Sequence, residues 1–309
     1  FDPALTDSYL RLYDANGFLL GENDDRDGSN GDYSSYIHFD VTVTGTYYIE
    51  VDSYLSSDTG RYALSVNNVT ALPVLTNDQI ADQLTDGYWN DEGGVRRAFS
   101  LGSSRTISVE IDELSSAGQS LARSALQAWS DVTGITFVER SFGADITFQD
   151  TDSGAYSTSI TAGGRLFSST VNISTDWLAQ AGTTIDSYSF VTYIHEIGHA
   201  LGLGHSGNYN GAATYGLDTH YSNDSWQASI MSYISQTENP SIAASYAFTT
   251  TPMIADILAI QTLYGTNTAT RTGDTTYGYN SNAGGYLDSF VSYGTDLAMT
   301  VYDDGGTDT

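Results

Sequence analysis

The sequence predicts an α+β fold: a β-rich module over residues 1–68, then a larger part in which strands and helices mix. Three observations carry this. Short alternating stretches separated by Gly, Asp and Ser clusters fill the first 68 residues, the spacing of a β-sandwich. From residue 77 onward helical and strand periods alternate without the regular βαβ rhythm of a doubly wound sheet. The final residues, Asp303-Asp304-Gly305-Gly306-Thr307-Asp308-Thr309, have the Gly-Asp texture of turns rather than of a core.

In the N-terminal module Tyr9–Tyr13 alternates, and Asp14-Ala15-Asn16-Gly17 supplies a hairpin turn with Gly where positive φ is needed. Further strands are expected at Tyr36–Val43, Thr46–Ser53 and Arg61–Val66. Asp14 to Asp32 holds six acidic residues and Arg26; it reads either as a solvated loop or as a calcium loop. Residues 69–76, with Pro73, read as a linker.

Beyond it, a short helix is expected over Gln79–Thr85 and a strand over Arg105–Ile111. Leu121, Ala125, Leu126, Trp129 and Val132 recur at helical spacing, which predicts a helix over Gln119–Val132. Strands follow near Thr136–Glu139, Asp145–Gln149 and Val171–Ser174, with helices over Ser187–Gly202 and Met253–Tyr264.

The chain has 309 residues, no cysteine, and a net charge of -28 from 10 basic and 38 acidic side chains. Disulfides and thiolate metal sites are excluded. Nucleic acid and anionic membranes are poor partners for such a surface, since phosphate contacts need Lys or Arg. No apolar stretch reaches transmembrane length, so membrane insertion is not expected. Calcium, a hard cation that takes carboxylate and carbonyl oxygens, suits this composition and can replace absent disulfides.

The decisive segment is His195-Glu196-Ile197-Gly198-His199-Ala200-Leu201-Gly202-Leu203-Gly204-His205. On a helix, His199 sits about 40° around and roughly 6 Å along from His195, so both rings share a face and can reach one metal ion. A continued helix would carry His205 about 15 Å along the axis, out of reach. The helix must therefore end between His199 and His205, and Gly202 is the residue able to take the left-handed conformation that reverses the chain. Three neutral imidazoles leave a fourth position for water, the arrangement of a catalytic zinc site. Zinc acidifies its water and polarises a carbonyl. Glu196, about 100° around from His195, flanks that water and can take its proton and later deliver one to the leaving amine.

The pattern HExxHxxGxxH is that of the metzincin metallopeptidases. Ile230-Met231-Ser232-Tyr233 fits their Met-turn, and "THEIGHALGLGH" with "SIMSY" most resembles serralysin. The resemblance runs over roughly 77–309. It implies a two-lobed metzincin-type catalytic domain over 77–265 with zinc at the floor of the cleft. It implies that Met231 packs beneath the metal, and that Tyr233 is a switchable zinc ligand that also stabilises the oxyanion. Extended protein or peptide substrates would pair with an edge strand marked by Ala155 and Tyr156, giving broad specificity. The stretch 266–309 is expected to be the truncated start of a calcium-binding β-roll. Its first ion would be held by Arg271, Gly273 and Thr275 with Asp303, Gly305 and Asp308. "DSYLRLYDANGFLLGENDD", "IHFDVTVTGTYYIEVDSY" and "GRYALSV" resemble the bacterial pre-peptidase C-terminal domain, here expected to lack its first strands.

The resulting expectation is a secreted, extracellular bacterial zinc metalloendopeptidase, monomeric, with structural calcium. The rival is a matrix-binding or adhesion protein with an inactive peptidase-like domain. The presence of Glu196 weighs against it, since a dead site would tolerate its loss.

Overall fold

The computed structural model describes residues 7–26, 32–39, 41–54, 60–67 and 71–309. The chain divides into two compact units, Phe1–Val74 with Tyr209–Ser222, and Leu75–Asn208 with Asn223–Thr309.

The first unit contains a three-stranded antiparallel sheet, with β1 (Ser8–Tyr13) between β2 (Leu19–Asn23) and β3 (Tyr48–Ser53). The β1–β2 hairpin forms as the sequence predicts. Asp14 Oδ1 accepts from the Asn16 and Phe18 N–H groups at 2.8 and 2.9 Å, and Gly17 takes φ +83°. The register sets Arg11 opposite Glu22 on one side and Glu50 on the other. Tyr209–Ser222 folds with this unit: the Tyr36 hydroxyl donates to Gly216 O at 3.4 Å, and the His38 ring meets the edge of Tyr215.

Two expected strands do not form among the described residues. Tyr36–Phe39 and Val41–Val43 lie outside any strand, with residue 40 undescribed, and Arg61–Val66 has a single bridge at Arg61. Val41, Val43, Tyr62 and Val66 are more than 60% exposed, so no second sheet buries their alternate faces. Residues 27–31 of the acidic loop and 68–70 beside the linker lie outside the described residues.

The second unit opens with a continuous helical stretch: α1 (Asn77–Asp82), a π-helical segment (Gln83–Gly87) and α2 (Tyr88–Asp91). Thr76 and Gln79 form a reciprocal capping box at its start. Then come β4 (Ala98–Phe99), β5 (Thr106–Glu110), α3 (Ser116–Thr133), β6 (Thr136–Glu139), β7 (Ile146–Gln149), β8 (Ala155–Ala162) and β9 (Arg165–Ile173). After these follow α4 (Thr175–Ala181), α5 (Tyr188–Ala200), β10 (Phe248–Thr249), α6 (Ile254–Tyr264), a 3₁₀ helix (Gly285–Ser292) and β11 (Leu297–Ala298).

The main sheet runs β4-β9-β7-β5-β6 in parallel, and β8 joins the other side of β9 antiparallel. Sequence reading found only the end of β9. Its first half and all of β8 are Ser- and Thr-rich and lack clean alternation. The connecting turn is Gly163-Gly164, both at positive φ, which is the two-residue turn matched to strand twist. Ser115 caps α3, whose apolar stripe buries Leu121, Ala125, Leu126, Trp129 and Val132, and Gly134 at φ +66° ends it. Packed with the sheet, α3 and α5 form the core, which holds Trp129, Phe148, Phe190 and Tyr193 fully buried.

Candidate metal centre

Every residue of α5 from Ser189 to Ala200 except His199 is buried. A helix apolar nearly all round must be enclosed by other elements, and this one is. Trp129 of α3 donates its indole N–H to Ile194 O at 3.0 Å. Gly198 lets two side chains come against the helix: a Cβ there would lie 2.7 Å from Met231 Sδ and 3.1 Å from Trp129 Cζ2. Met231 thus packs directly beneath the segment that carries the histidines.

The helix ends at Ala200, and Gly202 reverses the chain at φ +113°. Its N–H donates to His199 O, and Leu203 N–H donates to Gly198 O. A Cβ at Gly202 would lie 2.2 Å from Arg97 O, and its carbonyl accepts from the Trp89 indole at 2.8 Å. Only glycine fits there. The reversal also returns Leu203 O to accept from His199 Nδ1 at 2.8 Å. Gly204 N–H donates to Leu84 O inside the π-helical segment, and Tyr88 sets its ring edge-on to His205, centroids 5.0 Å apart. A π-helical turn is frequent at functional sites, and here it shapes the wall behind the third histidine.

The three Nε2 atoms converge. His199 Nε2 lies 3.0 Å from that of His195 and 2.9 Å from that of His205. Since Ile230 O and Leu203 O can only accept, His195 and His199 donate from Nδ1 and turn unprotonated Nε2 atoms toward one another. Facing lone pairs repel unless a cation lies between them. A tetrahedral zinc with Zn–N of about 2.0–2.1 Å sets its nitrogens roughly 3.3 Å apart, close to what is found. Burial lowers His195 to about 4 and His199 to about 3, which keeps both rings neutral and ready to ligate. The donor set fits zinc. Among the described residues this trio is the one cluster of His, Cys or acidic side chains able to hold a metal.

Glu196 is buried beside the trio, and its Oε2 meets no hydrogen-bond partner among the described residues. Desolvation pushes its carboxyl up to about 8. A dication at the histidines pulls it back toward the ionised form, because an opposite charge a few Å away favours the carboxylate. The Tyr233 ring lies against His205 and His195, with centroids 4.6 and 5.7 Å away.

Ala155 and Tyr156 begin β8, which pairs with β9 alone among the described residues and so offers a free edge. Tyr156 is anchored by its hydroxyl to Asp152 Oδ2 at 2.5 Å. The residues expected to hold calcium come from two segments that do run together: Thr275 N–H donates to Asp308 Oδ1, and Asp304 N–H donates to Thr270 O. Asp303 Oδ1 accepts from Gly305 N–H at 3.0 Å, and Thr275 Oγ1 donates to Gly273 O at 3.1 Å. The Arg271 guanidinium pairs with Asp131 and donates to Ala283 O and Tyr302 O. Sequence reasoning missed Tyr88, Trp129 and Asp256 around the centre. The Gly-Tyr-Trp run at 87–89 and the lone Asp in an otherwise apolar 253–260 were signals that could have found two of them.

A family model described as metallo-peptidase family M12B, reprolysin-like, matches residues 97–258, and one for the bacterial pre-peptidase C-terminal domain matches residues 3–53. Metallopeptidase AprA of Pseudomonas marginalis is 35% identical over 293 residues, spanning 85% of this chain and 60% of its own. Metalloprotease AprA of Pseudomonas entomophila is 34% identical over 281 residues, spanning 82% of this chain and 58% of its own. Serralysin B of Dickeya chrysanthemi is 38% identical over 207 residues, spanning 61% and 42%. The chain thus spans 42% to 60% of the length of these relatives.

Proposed function

Because the chain belongs to the reprolysin-like metallopeptidases, as a serralysin-like metzincin carrying a pre-peptidase C-terminal domain, we propose that it is a secreted bacterial zinc metalloendopeptidase. One observation carries the reading: the Nε2 atoms of His195 and His205 lie 3.0 and 2.9 Å from that of His199, beside a buried Glu196 oxygen that meets no hydrogen-bond partner among the described residues. His195, His199 and His205 would hold zinc, which would supply the Lewis acidity that polarises a scissile carbonyl and acidifies an attacking water. Glu196 takes that water's proton on its buried carboxylate and delivers it to the leaving amine. Tyr233, whose ring lies against His205 and His195, would donate its hydroxyl to the developing oxyanion. Substrate lies extended along the free edge of β8 from Ala155 and Tyr156, where backbone pairing reads few side chains and gives broad specificity. Calcium bound between 271–275 and 303–308 braces the C-terminal end.

Casein hydrolysis tests the core of this. Wild type is expected to be active, to lose activity on chelation and to regain it with zinc. Glu196→Gln is expected to keep zinc and lose about 10²–10⁴-fold in kcat. Hydrolysis persisting in Glu196→Gln would sink the mechanism, and zinc binding without hydrolysis in wild type would return the protein to a binding role.

A further inference from the structure

Asp256, in the first turn of α6, is fully buried, and nothing so far assigns it a task. Its carboxylate accepts three hydrogen bonds, two from one short segment and one from its own helix start. Ser229 Oγ–H donates to Oδ1 at 2.6 Å, Ile230 N–H donates to Oδ2 at 2.8 Å, and Met253 N–H donates to Oδ2 at 2.7 Å. All these partners are donors, so each bond favours the ionised carboxylate. Ser229, with its proton committed to Asp256, turns a lone pair to Met231 N–H at 3.0 Å. The other end of that same peptide is Ile230 O, which accepts from His195 Nδ1 at 2.9 Å.

We infer that Asp256 is a positioning residue for the zinc site: through the Ser229 hydroxyl and the Ile230–Met231 peptide it fixes and polarises the carbonyl that holds the His195 ring. The inference rests on the reading that the three histidines hold zinc. Hydrogen bonds in series strengthen one another in a dry interior, and Ser229, Ile230 and Met231 are all 0% exposed. A more negative Ile230 O binds the Nδ1 proton more strongly, fixes the tautomer, and makes Nε2 a better ligand. The direct Asp256–Ile230 N–H bond clamps the preceding peptide, so the carbonyl cannot rotate away. One carboxylate from a distant helix thereby sets both the direction and the basicity of a first ligand, without touching it.

The test is zinc affinity, measured by chelator competition on the full chain of wild type, Ser229→Ala, Asp256→Asn and the double variant. Each single variant is expected to raise the zinc Kd about tenfold, the low end for groups that orient metal ligands. The double variant is expected to be no worse than the worse single one, because both changes cut the same relay. In the zinc-loaded protein the His195 Nδ1 proton resonance moves upfield in both singles. A zinc Kd within twofold of wild type in Ser229→Ala, or additive losses in the double variant, would overturn the relay. If Asp256→Asn does not fold, Ser229→Ala decides alone, since it removes one hydroxyl and leaves the carboxylate its backbone donors. Failure of wild type itself to bind stoichiometric zinc would instead refute the metallopeptidase reading, which separates the two.

Discussion

At the scale of single residues, the centre depends on atoms that are missing as much as on atoms that are present. Gly198 is where α5, Met231 and Trp129 meet, and Gly198→Ala would drive a methyl into a sulfur 2.7 Å away with a buried indole behind it. The expected cost is about 1–3 kcal/mol, read as a lower urea midpoint. A midpoint equal to wild type would show that the packing under the site is looser than described. Asp256 makes a second case. Burial is the largest influence on it and raises its carboxyl to about 6, against an ordinary value of 3.8. The folded chain therefore holds the proton more tightly than the unfolded one. Its contribution to stability is fully present below pH 3.8 and is lost as pH rises through 6, amounting to roughly 3 kcal/mol at one pKa unit per 1.36 kcal/mol. Urea unfolding of zinc-free protein should show this loss between pH 4 and 6 as a component absent from Asp256→Asn. A difference curve that is flat over that window would refute it. A buried charge kept at such a cost near neutral pH is what the positioning role requires.

At the scale of elements, the C-terminal segment is tied to the core by one buried ion pair. Arg271 and Asp131 of α3 have side chains only 9% and 21% exposed, and burial raises the Asp131 carboxyl even with the guanidinium against it. Arg271→Met would strand that carboxylate and free Ala283 O and Tyr302 O, so a loss of about 3–5 kcal/mol is expected in chemical denaturation. Loss under 1 kcal/mol would mean that water reaches Asp131 readily. The elements also show what a sequence discloses. The α5 helix and its stop were legible because a 3.6-residue period and a shared metal leave one solution: His195 and His199 on one face, and a reversal at Gly202 before His205. The β1–β2 hairpin was legible from Asp14 to Gly17 because the turn chemistry is local. The β8–β9 hairpin was hidden, since its Ser and Thr residues give no alternation and β8 buries little, although Gly163-Gly164 marked the turn. Strands expected at Tyr36–Val43 and Arg61–Val66 had the pattern but no face to bury. Asp256 was illegible as a site residue for a different reason. Its partners Ser229 and Ile230 lie more than 20 residues upstream, and only the fold brings them to it.

At the scale of the whole molecule, a net charge of -28 on a chain without disulfides makes self-repulsion a leading threat to the folded state. Two kinds of relief are possible, and they behave differently. Screening is generic: raising ionic strength shortens the Debye length from about 30 Å at 0.01 M to about 10 Å at 0.1 M, and any salt should raise Tm. A calcium site between 271–275 and 303–308, as proposed, would be specific: it would gather hard oxygens in a flexible geometry that magnesium, smaller and reluctant to shed water, does not share. Thermal unfolding should therefore be followed in NaCl, MgCl2 and CaCl2 matched for ionic strength, on protein stripped with a calcium-selective chelator. Sodium and magnesium are expected to raise Tm to similar extents, and calcium to raise it further, by RT ln(1 + [L]/Kd) in free energy, so that each tenfold increase in calcium above Kd adds about 1.4 kcal/mol. Asp308→Ala would remove an oxygen donor from the proposed site while changing net charge by a single unit. It should abolish the calcium increment and leave the sodium response intact. If calcium and magnesium stabilise equally, and Asp308→Ala responds to both as wild type does, the acidic surface acts only as a diffuse anion and the C-terminal segment is held by its hydrogen bonds and by Arg271 alone.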